Sequence, residues 1–227
     1  MGAHAPCRRV ARRARGPGRA APASPVSLPA TRTRRPMSSH PRPHPHPHPA
    51  ALLPPFDDEG RLNLVVETTR GSRNKMKYDA KRAVFTIAHV LPVGAVFPFD
   101  FGFVPSTRAG DGDPLDALLL MDDAAFAGCV VASRLLGVIE AEQADGDGGT
   151  ERNDRLLAVA EGSHAYGAVR DLADLDGALL DGIEHFFVSY NEARGKRFTP
   201  RGRGDAARAR ALVDEGARRH DRHRGGA

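Results

Sequence analysis

Three aspartates lie within six residues in the segment from Asp111 to Asp116, and an apolar run from Ala117 to Met121 follows them. Because carboxylates this close repel one another, at least one of them would have a raised pKa unless a cation lies among them. Hard divalent ions such as Mg2+ take oxygen ligands and are commonly bound through a few carboxylates together with the phosphates of a substrate. The segment therefore predicts a site for divalent cations and phosphate, with an acidic surface turn as the plain alternative.

The backbone that carries the three aspartates is predicted to be stiff. Gly112 permits a tight turn, and Pro114 has a fixed φ. Together they set the directions in which the side chains of Asp113 and Asp116 extend. A calcium-binding EF-hand loop fits poorly, because its glycine is expected at Asp116 and its third ligand at Leu115. The spacing therefore favours magnesium and phosphate chemistry.

Short alternating apolar runs predict β-strands on both sides of this segment. Apolar and other residues alternate over residues 62–67 with the period of a strand, so Glu67 points away from the leucines. In the next predicted strand, Lys75 and Lys77 lie on one face. Further strands are predicted over residues 84–91, 117–121, 128–140 and 155–160, and one parity carries Phe97, Phe99, Phe101 and Phe103 as core residues. So many short strands with few helices between them favour a closed barrel rich in antiparallel pairs.

The periodicity changes towards the C-terminal end of the chain. Apolar residues recur at helical spacing over residues 176–194, and Gly195 supplies the stop of this predicted helix. A second, polar helix is predicted over residues 205–219. The pattern therefore places helices beside a fold that is otherwise made of strands.

The first 50 residues differ in composition from the rest of the chain. They contain no Asp or Glu and are rich in Arg, Pro, Ala, Ser and His, so we expect a disordered tail over residues 1–50 and a folded domain over residues 51–227. Nine arginines precede Met37, and without residues 1–36 the formal net charge falls from +5 to −4. A targeting peptide and an upstream sequence before a true start at Met37 are both open interpretations. The Pro-His repeat over residues 43–49 favours an extended rod with weak metal affinity at most.

Charge and cysteine content narrow the expected partners. The basic character belongs to the tail and not to the domain, so we expect no specific nucleic-acid partner. No apolar segment is long enough for a secretory signal or a membrane span, which argues against a membrane partner. Cys7 and Cys129 are the only cysteines, and the lack of a disulfide framework favours the reducing cytoplasm.

The segments around the aspartates resemble the family I soluble inorganic pyrophosphatases, in register from about Leu62 to Arg197. The matching segments are, in chain order, residues 65–67, Lys75, residues 97–105, 111–117, 137–139, 156–159 and 185–187, and Tyr190. The resemblance implies an OB-like five-stranded closed barrel with flanking C-terminal helices, a mixed α+β class that is mainly β. It also implies a homo-oligomer.

The resemblance further implies Mg2+-dependent hydrolysis of inorganic pyrophosphate to two phosphates by metal-activated water. Asp113 matches the carboxylate that accepts the proton of the nucleophilic water. Asp111, Asp116 and Glu67 match acidic positions that serve several Mg2+ ions.

Four further residues match positions that bind the phosphate groups of the substrate in the family: Lys75, His89, Arg155 and Tyr190. The residues alone leave plainer interpretations open. Glu67 and Lys75 could be solvated strand residues, and Tyr190 could be the last apolar contact of its helix.

The chain also departs from the family pattern at eight positions. These are Lys77 for Glu, His89 for Arg, Phe97 and Phe101 for Tyr, Gln143 and Asn153 for Asp, and Arg155 and Asn191 for Lys. Neutral amides are poorer Mg2+ ligands than carboxylates, so Gln143 and Asn153 predict one weakened metal site. Asp154 is the candidate replacement ligand, although on a strand it would face the opposite side from Asn153, and Asp145 or Asp147 on the next loop could serve instead.

Three functions are consistent with this pattern. The leading one is a Mg2+-dependent inorganic diphosphatase with reduced or altered activity. The substituted ligand positions also suit a non-catalytic relative that binds pyrophosphate or a nucleotide. A third possibility is hydrolysis of another small phosphate ester or anhydride by the same groups.

Overall fold

The computed structural model describes residues 49–146 and 148–226 of the chain. The predicted tail over residues 1–50 lies outside the described residues except for its last two positions, and so does Asp147. The strands are β1 Leu62–Thr68, β2 Asn74–Asp79, β3 Val84–Val90, β4 Asp100–Val104, β5 Leu115–Leu120, β6 Val130–Asp145, β7 Thr150–Arg152, β8 Arg155–Ala160 and β9 Lys196–Asp205. The helices are α1 Gly177–Glu192 and α2 Ala206–Gly225, with short 3-10 turns at Pro49–Leu52 and Leu172–Asp174.

Five strands pair in a closed ring in the order β1, β4, β5, β8 and β6, because β6 also pairs with β1. All pairs in the ring are antiparallel except β5 with β8. Strands β7 and β9 extend this sheet along β6, and β2 and β3 form a separate hairpin. The predicted fold, a mainly β and antiparallel-rich ring of five strands with C-terminal helices, is confirmed.

Two apolar cores lie against the two helices. Leu118 and Leu157 pack with Phe187 of α1 in one core, whereas the neighbouring Leu119 packs with Val213 of α2 in the other. The strands are therefore buried on both faces, and each fully buried leucine contributes about 1.5–3 kcal/mol of transfer free energy. This burial holds the strand ends, where the polar side chains lie, in fixed positions.

Both helices begin at an aspartate that caps the first turn. Asp176 accepts a hydrogen bond from the amide of Ala178 at 2.9 Å, and Asp205 accepts one from the amide of Arg208 at 2.7 Å. These side chains satisfy amides that lack a partner within the helix. The predicted helices over residues 176–194 and 205–219 are confirmed in position, and the second one extends six residues further. Within the described residues, no helix has the length and apolar content needed to span a membrane.

Candidate active site

A cavity of about 720 Å3 opens beside the ring, between the β2–β3 hairpin, the β4–β5 loop, β6 and the C-terminal end of α1. It brings together eight of the nine predicted site residues: Glu67, Lys75, His89, Asp111, Asp113, Asp116, Arg155 and Tyr190. The substituted positions Lys77, Phe97, Phe101, Gln143 and Asn153 line the same cavity. Residues that are up to 123 positions apart in the chain thus face one space.

The loop between β4 and β5 holds the aspartates through its own backbone. The carboxylate of Asp111 accepts a hydrogen bond from the amide of Asp113 at 3.0 Å, and the carbonyl of Asp113 accepts one from the amide of Ala109 at 2.7 Å. Gly112 has a φ of +90°, a conformation that residues with a Cβ rarely adopt. The predicted tight turn at Gly112 is confirmed, and it directs Asp111 and Asp113 towards the cavity.

Glu67 and Lys75 form a buried ion pair at the base of the cavity. The Nζ of Lys75 lies 3.0 Å from one Glu67 oxygen, and the amide of Tyr78 donates to the other at 2.7 Å. The Lys75 ammonium also lies 4.1 Å from the centre of the Phe101 ring, within the range of a cation–π contact. These two residues are therefore not solvated strand positions.

Lys77 lies on β2, two residues after Lys75, and contacts Asp113, the central aspartate of the loop. Its Nζ is 2.5 Å from Oδ2 of Asp113, in a pair that is about half exposed on both sides. Burial opposes the positive charge, but the hydrogen bond and the negative charge of Asp113 outweigh it and raise the pKa of Lys77. An ammonium group therefore neutralises one of the three aspartates.

Arg155, the first residue of β8, is buried and pairs with the third aspartate. Its guanidinium lies 3.0 Å from Oδ2 of Asp116, and its central carbon lies 5.0 Å from the Phe187 ring centre and 5.4 Å from that of Phe198. Aromatic faces on two sides restrict the guanidinium to one direction. It therefore presents a fixed positive charge to the cavity.

The two substituted ligand positions are linked to Arg155 by hydrogen bonds. The Asn153 amide nitrogen donates to Oε1 of Gln143 at 3.0 Å, and the Asn153 amide oxygen accepts from the Arg155 guanidinium. Because Arg155 also pairs with Asp116, the four side chains form one connected chain. Where the resemblance implies two carboxylates, this protein has a neutral network whose groups already have partners.

Asp154 does not face the cavity, which corrects the expectation that it replaces a lost metal ligand. Its carboxylate is almost fully buried, accepts a hydrogen bond from the amide of Ala141 at 3.1 Å, and pairs with Arg152 at 2.6 Å. Successive side chains of an extended segment point to opposite sides, so Asn153 occupies the cavity side. Asp145 does line the cavity, but it pairs with Lys196 at 2.6 Å.

The oxygen ligands at the cavity suit a divalent cation beside the aspartate loop and not beside the amides of Gln143 and Asn153. Burial, together with repulsion from Asp113 and Asp116, raises the pKa of Asp111 above its usual value, and a bound cation would relieve that repulsion. With Lys77 and Arg155 in their present positions, no three acidic, histidine or cysteine side chains of the described residues converge closely enough to hold a metal ion. The carboxylates of the loop are the kind of oxygen ligand that a hard divalent ion takes, whereas the hydrogen-bonded amides provide no negative charge.

His89 and Tyr190 lie side by side on one wall of the cavity, and neither carries a charge at pH 7. Burial and the charges of Arg194 and Lys75 lower the pKa of His89 to about 4, so its ring is neutral at pH 7. The buried Nε2 of His89 has no hydrogen-bond partner among the described residues. Burial raises the pKa of Tyr190 to about 12, and its ring centre lies 5.2 Å from that of His89. Both residues can therefore donate hydrogen bonds to a phosphate without carrying a charge.

Five charged residues at the cavity were not identified from the sequence: Asp79, Lys81, Glu151, Arg194 and Lys196. Arg194 lies four positions after Tyr190, at the spacing that places two residues on one face of a helix. This spacing is the signal that could have identified it. No comparable signal identifies Asp79, since its position depends on how the β2–β3 hairpin folds over the cavity.

The sequence profile described as inorganic pyrophosphatase matches residues 64–221. The chain belongs to this family. It is 37% identical over 163 residues to an inorganic pyrophosphatase of Nostoc, an alignment that covers 72% of this chain and 94% of that relative. An inorganic pyrophosphatase of Halalkalibacterium halodurans is 37% identical over 150 residues, which is 66% of this chain and 89% of the relative.

Solved structures of the family share this fold. The crystal structure of the inorganic pyrophosphatase from Thermus thermophilus superposes with a TM-score of 0.68 and 30% sequence identity, covering 76% of this chain and 98% of the other. The structure of the Neisseria gonorrhoeae inorganic pyrophosphatase gives the same TM-score of 0.68 at 28% identity and the same coverage. Family I pyrophosphatases are metal-dependent enzymes whose substrate is pyrophosphate.

Proposed function

We propose that this chain hydrolyses inorganic pyrophosphate to two phosphates in a Mg2+-dependent reaction. The observation that carries the proposal is the cavity in which three loop aspartates face Lys75, Arg155 and Tyr190, in a chain that belongs to the inorganic pyrophosphatase family. Hydrolysis of a phosphoric anhydride requires charge neutralisation, a positioned water and stabilisation of the leaving phosphate. The cavity offers a group for each of these requirements.

Substrate binding is assigned to the groups on the walls. Arg155 is always charged and is held in one direction, so it suits a phosphate oxygen at the base of the cavity. Lys75 adds a second charge, and neutral His89 and Tyr190 donate hydrogen bonds without changing the charge of the site. Because the phosphates carry negative charge, these donors become more favourable as charge develops on the leaving group.

Asp113 is assigned as the base that accepts the proton of the attacking water. Its carboxylate lies at the cavity surface and is about half exposed, so a water can reach it. The Lys77 ammonium pairs with one of its oxygens, Oδ2. Oδ1 of Asp113 can accept the proton while this pair is intact, and transfer of the Lys77 ammonium to a phosphate oxygen would make the carboxylate a stronger base.

Metal binding is assigned to Asp111 and Asp116, with Glu67 as a further acidic group beside them. A bound divalent ion supplies charge neutralisation and lowers the pKa of its water. Glu67 contributes to the negative potential of the site but keeps its ion pair with Lys75 and the hydrogen bond that it accepts from the amide of Tyr78. Since Gln143 and Asn153 form a neutral network, we propose that this chain binds Mg2+ more weakly at that side of the cavity than a site with carboxylates would.

The cellular setting is proposed from the sequence. The lack of a disulfide framework favours the cytoplasm. Family membership supports a homo-oligomer, and the acidic character of the domain argues against a specific nucleic-acid partner.

Phosphate release from pyrophosphate by the full-length chain tests the proposal, in parallel assays with Mg2+, Mn2+ and Zn2+. The expected result is metal-dependent release well above a protein-free blank. A panel of other small phosphate esters and anhydrides under the same conditions separates pyrophosphate hydrolysis from a wider phosphatase activity. Release without pyrophosphate preference would replace the proposal by that wider activity.

A second candidate function is binding without hydrolysis. Two observations favour it: the Asp113 carboxylate is paired with Lys77, and the amide oxygens at positions 143 and 153 already accept hydrogen bonds, from Asn153 and Arg155. Such a protein would bind pyrophosphate or a nucleotide saturably and release no phosphate. Calorimetric titration with pyrophosphate, beside the turnover assay, separates this candidate from the enzyme.

A further inference from the structure

The turn after α1 places at the cavity a guanidinium that pairs with no carboxylate of the described residues. Arg194 lines the cavity and is exposed, and its central carbon lies 5.3 Å from the centre of the Tyr190 ring. Within residues 49–146 and 148–226, no carboxylate lies within 4.0 Å of its side-chain nitrogens. By contrast, Lys75, Lys77, Arg155 and Lys196 are each paired with a carboxylate, and Lys81, which is not, lies in the turn between β2 and β3. Arg194 is therefore available to an anionic ligand without breaking an ion pair.

The neighbouring residues on this wall leave a deficit of positive charge. Asn191 is fully buried, and its amide nitrogen donates to the carbonyl of Phe187 at 2.8 Å, so it supplies nothing to the cavity. His89 is neutral at pH 7 because its pKa is lowered to about 4. The charge of Arg194 itself contributes to that lowering, which indicates that the two side chains sense the same part of the cavity.

The turn after α1 directs Arg194 to this position. Ala193 still has helical backbone angles, with φ −60° and ψ −14°, and Gly195 follows in the left-handed region with φ +71°. Arg194 therefore lies one helical turn after Tyr190 and next to its phenol, before the chain reverses into β9. Lys196, after the turn, is held by Asp145.

We infer that Arg194 binds a phosphate group of the substrate and is the principal cation of the wall formed by His89 and Tyr190. The inference rests on the proposed function, because it names a further substrate-binding residue of the same site. A guanidinium forms charge-assisted, often bidentate, hydrogen bonds with phosphate oxygens, and no carboxylate of the described residues competes for that of Arg194.

The test compares Arg194→Gln and Arg194→Lys with Arg197→Gln, a matched control. Arg197 is an exposed arginine three residues further on that lies outside the cavity. Imidodiphosphate, a pyrophosphate analogue with a nitrogen bridge, is titrated calorimetrically into each protein in the presence of Mg2+. We expect Arg194→Gln to weaken binding roughly 10-fold, Arg194→Lys to weaken it less, and Arg197→Gln to leave it unchanged. Equal affinities for Arg194→Gln and Arg197→Gln would overturn the inference.

Turnover measurements keep this inference separate from the proposed function. If the parent hydrolyses pyrophosphate, Arg194→Gln should raise KM with little change in kcat, as expected for loss of uniform binding. If the parent binds imidodiphosphate but hydrolyses nothing, the proposed function fails, and the Arg194 inference stands if Arg194→Gln binds more weakly. If the parent does not bind the analogue at all, the Arg194 inference is overturned, whereas phosphate release from pyrophosphate still decides the proposed function.

Discussion

The Nζ of Lys77 lies 2.5 Å from Oδ2 of Asp113, so the carboxylate proposed as the general base is already paired with a cation of the protein itself. The two residues come from different parts of the chain, Lys77 from the β2–β3 hairpin and Asp113 from the β4–β5 loop. Lys77 thus stands at the point where an acidic residue is expected from the resemblance. Its charge opposes the binding of divalent ions to the aspartates.

Replacing Lys77 by Gln should strengthen metal binding. The substitution removes a positive charge next to Asp113, and because the pair is about half exposed the gain should be a few-fold, as for a surface ion pair worth about 0.2–1 kcal/mol. Calorimetric titration with Mn2+ measures it without reference to activity. Lys81→Gln is the control, since Lys81 is an exposed lysine at the same cavity whose ammonium group pairs with no carboxylate of the described residues. An equal gain in both variants would mean that net charge, and not the contact with Asp113, sets the affinity.

Restoring carboxylates at both amide positions should create a stronger metal site. In a variant with Gln143→Asp and Asn153→Asp, two negative charges would face each other where the amides now share a hydrogen bond of 3.0 Å. Without metal, their repulsion should lower the melting temperature, and Mg2+ should restore it. The Mg2+ concentration for half-maximal activity should fall below that of the parent.

Thermal melts with and without Mg2+ measure this effect directly. A double variant whose melting temperature does not respond to Mg2+ more than that of the parent would contradict the assignment of this side of the cavity to metal. Such a result would favour Asp145, which already lies at the cavity, as the acidic group that completes the site.

The stability of the domain should fall between pH 7 and pH 5 through His89. Its pKa is about 4 in the folded state against 6.5 ordinarily, so the unfolded chain binds a proton in this range that the folded chain does not. Stability from this residue is therefore complete above pH 6.5 and is lost as the pH falls towards 4. Allowing for partial solvent exposure, we expect a loss of about 1 kcal/mol at pH 5.

Chemical denaturation at pH 7 and pH 5 tests the histidine effect. His89→Gln should lose less stability than the parent over this interval, whereas the exposed His164→Gln should behave like the parent. The same pH dependence in all three proteins would exclude His89 as its source.

Deleting residues 1–48 should leave folding and activity unchanged. The deleted segment contains no acidic residue and no periodic apolar pattern, so it is expected to contribute nothing to the core. The cut should not extend further, because Ala50 is buried and packs with Val65 and Phe103. A fall in melting temperature or turnover after the deletion would give the tail a role that composition does not reveal.

The sequence was sufficient for those elements whose pattern is local. Helix α1 follows from apolar spacing and a stop at Gly195, both of which are present in the structure. Strand β9 was not predicted, because its sequence contains Pro200 and two glycines and is rich in arginine. It is a strand because it pairs with the C-terminal half of β6, over residues 137–145, with a register shift next to Pro200.

The same distinction applies to the site. The aspartate loop is a short contiguous motif and could be located from the sequence with its Gly112 turn. The pairing of Lys77 with Asp113, the link from Gln143 through Asn153 to Arg155, and the position of Arg194 depend on contacts between distant elements. A motif gives the residue types at a site, whereas only the fold shows which of their charges are already neutralised.

The most direct test of the account is pyrophosphate turnover by the parent and by Asp113→Asn in the presence of saturating Mg2+. The substitution keeps the shape of the side chain and removes the base, so we expect metal-dependent phosphate release by the parent and a loss on the order of 100-fold or more in the variant. The melting temperature of the variant should stay close to that of the parent, because the ion pair of Asp113 is solvent-exposed. Undiminished turnover in Asp113→Asn would remove this residue from the mechanism, and a parent that binds pyrophosphate but releases no phosphate would contradict the proposed enzyme.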